Sequence, residues 1–594
     1  MNSRPLRDRA NIVWDLQELS TRESNVHVGP PLTASSKEIF TNYCKGSRRQ
    51  GVRKKRTATQ TQSRSITEPS NVGDETARDI TVYSPSQSSI SLEPSLFTSS
   101  TPQSSFIAKG SVLAYDAPAE PSPLGAINSP AFGVSDPVIR AIQADILPRA
   151  PLLQALKDAY IENVLPFHPV LDPSDFSTDS PVMLQQAICL VGSLMRHDQS
   201  NLTFAHSQYD KVKALVHFKR HHDPVVLLKT CCLLACWSPA STDLITLDGP
   251  WQWAGIAIRL AIQMGLHKQA TYKHHANASC LRRIFWHLIM TDKMMVACWG
   301  RPPALSMDDS DLLPLSLADF SRHAVGAALA LEGHKVIHVI GKIGQLNARK
   351  REIPSEEMGS IITLLCDWQR DLPHEARLFD SGGERLPFSR VASEIHIYYF
   401  AAIIMIQMLN QRQHTQWQPS TSSLVASSCM AALYDEINSR EQAAYLLHHH
   451  GFLIMAAALP LIFHSPQAEN RNSISDQLDV ICSVLLRMKA KYGGASFVLS
   501  KIHRLRQWST ASERPASQSG PSNATVYKLE SCLNQLFPFP SKFCSQMESV
   551  DPTALDGNDR RDDLALESDF TMFDMLGMDM TSFDMLESSN FLGY

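Results

Sequence analysis

Apolar residues recur at helical spacing through the middle of the chain, most legibly between Asp248 and Pro314. In DGPWQWAGIAIRLAIQMGLHKQ, Trp253, Ile256, Ala257, Leu260, Ala261 and Met264 follow the i, i+3, i+4, i+7 rhythm of a buried helical stripe. Asp248 and Pro250 mark its start and Gly265 its stop, as capping chemistry prefers. A second helix follows a polar joint, with Leu281, Phe285, Leu288 and Met295 as its stripe. Gly300-Arg301-Pro302-Pro303 ends it, because proline lacks the amide hydrogen that would continue the helix and Gly300 can take the left-handed cap.

The same period predicts helices around this pair. Before it they fall near Pro137–Ile142, Leu152–Tyr160, Pro181–Arg196, Tyr209–Arg220 and Asp223–Trp237, the last with Asp223-Pro224 as N-cap and first turn. Val164–Phe176 is a proline-broken loop with apolar anchors. After the pair, helices are expected over Ala324–Asn347, Met358–Arg370, Glu394–Gln413, Ser422–Asn438, Glu441–Phe463 and Ser475–Tyr492. No alternation of period two is sustained. The expectation is an all-α, large multi-helix array over residues 136–508, in two packed lobes or an extended stack. A polar linker over 509–524 and a short helix within 525–545 follow.

Composition changes this picture at the ends. The 594 residues carry a formal charge of −4, but unevenly. In the first 135 residues, Lys45, Arg48, Arg49, Arg53, Lys54, Lys55 and Arg56 form a basic run over 45–56 with no acid among them. Such density reads as a nuclear localisation signal or a contact to the DNA backbone; the bland alternative is a solvated charge run. Thr57 to about Ser135 is rich in Ser, Thr and Pro and poor in apolar residues, so residues 1–135 are expected to form a disordered tail. At the other end, residues 546–594 are acidic: from Glu548 onward there are 12 acids against Arg560 and Arg561. Acids alternate with Phe570, Phe573, Met575, Leu576, Phe583, Met585, Leu586 and Phe591, and Phe-Asp-Met-Leu occurs twice. The acids keep such a segment solvated while its aromatic and thioether side chains stay available to a partner's groove. This is the composition of an activation segment; a solubilising tail would not be expected to repeat that tetrapeptide.

Chemistry adds little. The 12 cysteines are scattered, most of them inside apolar helical runs, which fits buried thiols in a reducing compartment. Cys232 and Cys236 share a helical face but lack two further metal ligands. His221-His222, His274-His275 and His448-His449-His450 lack metal spacing and are expected as surface or cap histidines near helix ends. Asp308, Asp309 and Asp311 read as loop solvation and capping. Gly341 and Gly344 lack the rest of a phosphate loop, and no catalytic motif appears, so an enzyme is not expected. The apolar runs Val225–Trp237 and Phe452–Phe463, broken by Lys229 and Pro460, fall short of the ~20 residues a membrane span needs.

The wording of the helix pair resembles the middle homology region of fungal zinc-cluster transcription factors, most nearly the cutinase-regulator branch. The likeness rests on Asp248-Gly249-Pro250-Trp251, Ala261 to His267, Arg282-Arg283 with Trp286, Asp292, and Gly300-Arg301-Pro302. His168-Pro169, Val170, Leu171, Asp172 and Phe176 resemble the phrase that opens that region. The resemblance implies a nuclear transcription regulator, an activator of metabolic or secondary-metabolite genes, whose helical body responds to a metabolite or restrains the tail. It implies Arg282 and Arg283 inside a regulatory core, paired with an acid such as Asp292 or Asp248 rather than with nucleic acid. It also implies a zinc cluster with C-x2-C-x6-C in each half. Here only Cys44 precedes residue 189, with Thr41 and Gly51 where cysteines would stand, and one thiolate cannot hold the cluster. No cofactor is therefore expected; the zinc head is absent or encoded outside this sequence. The expected partners are general transcription machinery or coactivators, DNA directly or through a partner factor, and a second copy as homodimer, with no membrane. The alternative is a co-regulator or scaffold that does not itself bind DNA.

Overall fold

The computed structural model describes Ser105, Phe106, Ala108 and residues 135–547, apart from 197–199, 219–222, 321–325, 350–352, 411–418, 465–470 and 512–530. Helices run through it as α1 (Ser135–Ala141), α2 (Ala150–Asn163), α3 (Val182–Leu194), α4 (Ser200–Phe218), α5 (Pro224–Leu234), α6 (Pro250–Gln263) and α7 (Ala278–Trp299). They continue as α8 (Ala327–Ala348), α9 (Ser355–Arg370), α10 (Arg390–Asn410), α11 (Thr421–Ser439), α12 (His450–Phe463), α13 (Arg471–Met488), α14 (Gly493–Ala511) and the single turn α15 (Leu533–Leu536). The fold is all-α. Among the described residues the β pairing is one isolated bridge, Phe379 to Arg385.

Local chemistry sets most ends. The Asp223 carboxylate accepts from the Val225 amide at 2.8 Å, with Pro224 in the first turn of α5. Gly300 closes α7 at φ 62°, its amide donating to Val296 at 2.8 Å. Two expectations need correction. The Glu441–Phe463 stretch is two elements: Glu441 takes φ 60°, a short 3-10 turn covers Gln442–Tyr445, and α12 starts at His450. Pro460 lies inside α12, within the stretch expected to be helical, and removes a single amide near the helix end. Helix α14 was not anticipated from its polar-interrupted pattern. Helix α10 also supplies what the apolar-run search missed: Arg390–Leu409 is long and apolar enough to cross a membrane, yet 94% of that window is buried within the protein. It is the central core helix.

Two hydrophobic cores fill the array. One gathers α2 to α7, with Tyr160, Leu184, Trp237, Trp253 and Phe285 among its buried side chains. The other gathers α8 to α14 around α10, with Trp368, Tyr399, Phe400 and Tyr434. Helix α7 serves both: Leu281, Phe285 and Met295 belong to the first, Met294 and Ala297 to the second. Its contact with α8 is close because α8 carries glycine there. A Cβ on Gly344 would sit 2.9 Å from the Ala297 Cα, and one on Gly341 2.6 Å from the Lys293 side chain. These two glycines seat one helix against another.

The segment after α15 returns to the second core. Tyr399 donates to the Leu536 carbonyl at 2.7 Å, Phe537 stacks on Phe400 at 6.0 Å, and Cys544 lies buried beside Cys429. Within the first 135 residues, Phe106 donates its amide to the Gln263 carbonyl at 2.8 Å and sets its ring edge-on to His267.

Candidate functional site

The signature residues become a set of polar staples around α6 and α7. Asp248 does not cap α6; Gly249 does, and the Asp248 carboxylate instead accepts from Lys213 at 2.6 Å and Tyr209 at 2.7 Å. Burial would raise this carboxyl, but those two hydrogen bonds outweigh it and hold it below the usual carboxylate range. Tyr209 in turn stacks on Trp237 and accepts from the Trp253 indole, so one acid ties α4 to α6. Trp251 and Trp299 flank the Arg301 guanidinium, at 4.8 and 5.0 Å from the ring centres.

Arg283 is buried and makes four polar contacts. It donates to the Pro169 carbonyl at 2.9 Å, the Asp319 carbonyl at 2.6 Å, the Leu171 carbonyl at 3.4 Å and the Asp172 carboxylate at 2.5 Å. The opening phrase of the resemblance and the α7 arginine are thus physically one object. Arg282 pairs with the Asp319 carboxylate at 2.9 Å and reaches the carbonyls of Leu313 and Pro314, to the first of which Trp286 also donates. The expected partners Asp292 and Asp248 are therefore corrected to Asp319 and Asp172. Helix geometry gives the reason: nine or ten residues advance about 14–15 Å along the axis, beyond ion-pair reach. Asp292 accepts from the amides of Ala304 and Leu305 at 3.0 Å, fastening the loop that Gly300, Arg301 and Pro302 begin. Burial raises its carboxyl despite those bonds.

Between the two cores lies a cavity of about 390 Å³. Helix α7 presents His287, Met290, Met294 and Cys298 to it, and α8 presents His334 and Ile337. Tyr398 comes from α10, Phe452 and Met455 from α12, and Phe497 and Lys501 from α14. His168, from the opening phrase, and His448 and His449 add to its polar lining, with Asp243, Thr291 and Arg301. His448 and His449 were expected as surface or cap histidines near a helix end, and His449 is the N-cap of α12. Both are half-buried because α12, which they lead into, is buried along most of its length, and His450 behind them is wholly enclosed. His450 joins a buried network with Tyr434 at 3.0 Å, Glu394 at 3.0 Å and, through Glu394, Arg390.

Burial keeps the cavity histidines neutral. It lowers His168 to about 3, helped by His448 and His334, and lowers His334 and His448 to about 4. His287 and His449 are driven further in the same direction. Burial pushes the Cys298 thiol well up and brings Lys501 down to about 8. His168 and His287 lie 4.4 Å apart ring to ring, and the Tyr398 hydroxyl meets His449 Nε2 at 2.7 Å. Nδ1 of His334 and of His448 has no hydrogen-bond partner in the protein. The lining sets histidines and the Tyr398 hydroxyl on thioether and aromatic walls, with Asp243, Arg301 and Lys501 as its charged members. Among the described residues no cluster of His, Cys, Asp and Glu suits a metal ion. The described cysteines are free and mostly buried.

Residues 158–322 match the fungal specific transcription factor domain. The match opens within α2, ahead of His168–Asp172, and ends just past Asp319, so it contains every staple described above. Over 340 residues the chain is 24% identical to the acetamidase regulatory protein of Aspergillus fumigatus, covering 51% of this chain and 42% of that protein. Over 194 residues it is 27% identical to cutinase transcription factor 1 beta of Fusarium vanettenii, covering 29% and 22%. The acetamidase regulatory protein of Emericella nidulans is similar at 24% over 322 residues. The chain spans about two fifths of the length of the acetamidase regulators it matches. The domain and these relatives belong to transcription regulation and not to enzymes.

Sequence reading found the signature but not the cavity, whose lining runs from Phe167 to Lys501. A signal was present: three consecutive histidines entering an apolar helix. The basic run 45–56 and the segment from Phe570 to Phe591 lie outside the described residues.

Proposed function

We propose that this chain is a nuclear transcription regulator that activates through residues 546–594, with its helical body as the regulatory part. The domain match within the staple region carries the regulatory reading. The twice-written Phe-Asp-Met-Leu in an acidic setting supports activation, because partners are recruited by exactly such apolar side chains kept solvent-accessible by charge. The basic run supports nuclear entry, and DNA is reached through it or through a partner factor. The target genes are metabolic by analogy with relatives named as an acetamidase regulator and a cutinase transcription factor.

The test is a fusion of residues 548–594 to an unrelated DNA-binding domain. A reporter should switch on, and Phe573→Ala with Phe583→Ala should silence it. An intact fusion that is expressed, nuclear and silent removes the activator reading and leaves a co-regulator that titrates another factor.

A further inference from the structure

We propose that Cys429 and Cys544 form a reversible redox lock: oxidation to a disulfide fastens residues 531–547 onto the second core, with Cys544 as the attacking thiol and Cys429 as the resolving one. The lock itself stands apart from the activating tail; only its consequence for that tail rests on the function proposed above.

Residues 531–547 are a strap with little regular structure of its own. It holds the single turn α15, then Phe537-Pro538-Phe539-Pro540, then a 3-10 turn over Ser545–Met547 that packs on α11. Rings hold it down. Phe537 stacks on Phe400, and Phe539 and Phe543 approach Phe379 at 6.2 and 5.2 Å. Tyr399 fixes the Leu536 carbonyl. The strap brings Cys544 to Cys429 of α11, with the two sulfurs 3.6 Å apart and both residues fully buried. A disulfide sets its sulfurs about 2.0 Å apart, so a closing movement of about 1.6 Å joins them. Cys544 lies outside any helix, at the end of a turn where its amide donates to the Pro540 carbonyl at 3.1 Å. Side-chain rotation and a small shift of that turn supply the movement.

The closed strap protects the dithiol. Burial, and then the neighbouring Cys544, push the Cys429 thiol up, and it donates to the Phe543 carbonyl at 3.6 Å. A thiol in that setting is inert. Reaction starts when the strap opens, a local event that leaves the core beneath it folded. Cys544 then meets solvent while Cys429 stays on its core helix. Cys544 loses its proton to water, and its sulfur attacks a small disulfide such as oxidised glutathione; that S–S bond breaks and one glutathione leaves as a thiol. On reclosure Cys429 loses its proton and attacks the Cys544 sulfur, and the second glutathione leaves. Two protein thiols are oxidised to one disulfide, and one small disulfide is reduced to two thiols. In a reducing compartment such a bond is transient, as a redox-sensing bond must be. Glu548, the first acid of the tail, lies four residues beyond Cys544, so the lock pins the root of the tail to α11.

The full chain, reduced and then held in oxidised glutathione, is alkylated and digested without reductant for mass spectrometry. The expected product links Cys429 to Cys544, and dithiothreitol reverses it. The locked chain should unfold at a higher urea midpoint than the reduced chain. Cys429→Ala should stop the reaction at a mixed disulfide of Cys544 with glutathione, and Cys429→Ser serves if the alanine variant does not fold. Cys544→Ser should leave Cys429 unmodified over the same time. Phe539→Ala loosens the strap and should speed the cross-link about threefold, the effect of losing one ring contact. Three results each overturn the proposal: no Cys429–Cys544 link once other cysteines carry glutathione, pairing of either residue with a different cysteine, and an unchanged rate in a folded Phe539→Ala chain. So does glutathione on Cys429 in the Cys544→Ser chain.

Discussion

Arg283 shows how a single side chain can be the reason a segment is spelled as it is. One guanidinium holds Pro169, Leu171 and Asp172 from one part of the chain and Asp319 from another. A lysine ammonium is a point donor on a flexible stem and cannot satisfy that fan of acceptors. Arg283→Met is expected to cost about 3–5 kcal/mol, the toll of leaving buried partners uncompensated. Arg283→Lys should recover less than half of it in chemical denaturation; full recovery would mean that charge alone matters. Acid sensitivity belongs to the same scale. Burial lowers His168 to about 3 and His334 and His448 to about 4, below their ordinary value. The unfolded chain therefore binds more protons than the folded one as pH falls below about 6.5. Stability is fully present above that pH and is lost on the way down toward pH 4, with a limiting slope of about 1.4 kcal/mol per pH unit for each such histidine. Asp172 adds to the loss further down: burial raises its carboxyl, but Arg283 outweighs that and holds it low, so its contribution disappears as acid protonates it. Urea titrations at stepped pH should show that His334→Gln with His448→Gln flattens the slope between pH 6.5 and 4; an unchanged slope would place the sensitivity elsewhere.

At the scale of elements, period and caps carried the prediction a long way. Pro224, Pro250 and Gly300 stand where helices begin or end, and no strand was expected. What failed did so for tertiary reasons. Helix α14 is interrupted by Ser500, Lys501 and Arg504, and its identity depends on the α12 and α13 surfaces it packs on. The ion-pair partners of Arg282 and Arg283 lie more than 30 residues away, so no local rule could choose them. Gly341 and Gly344 were noted only as fragments of a phosphate motif, whereas their work is to let α8 approach α7. Gly344→Ala favours helix intrinsically yet places a methyl 2.9 Å from the Ala297 Cα. Backbone cannot yield cheaply there, so the substitution should destabilise by about 1–3 kcal/mol. Stabilisation on denaturant melting would show that the two helices are not held at this distance.

The whole molecule depends on α7 being common property. Its Leu281 and Phe285 complete one core and its Met294 and Ala297 the other, and Ile337 of α8 packs against both. None of this is visible in the helical period, which marks a buried stripe without saying how many cores it serves. The same blindness hid the cavity, since its lining residues read one at a time as ordinary core. Sharing a helix has a thermodynamic consequence. If the α2–α7 core melts, α7 loses its packing and withdraws Met294 and Ala297 from the second core. If the α8–α14 core melts, the glycine-seated face of α7 is exposed. Neither half then has a stable state without the other, and the described body should unfold as one cooperative unit despite its size. Reporters exist on both sides: Trp253 is buried in the first core and Trp368 in the second. Variants that retain only one of these two tryptophans, the others replaced by phenylalanine, should give coincident urea midpoints with a common slope. Met294→Ala should lower both midpoints together, by about 2–5 kcal/mol in stability. Two separated midpoints, or a Met294→Ala shift confined to the Trp368 reporter, would make the cores independent and α7 a mere connector.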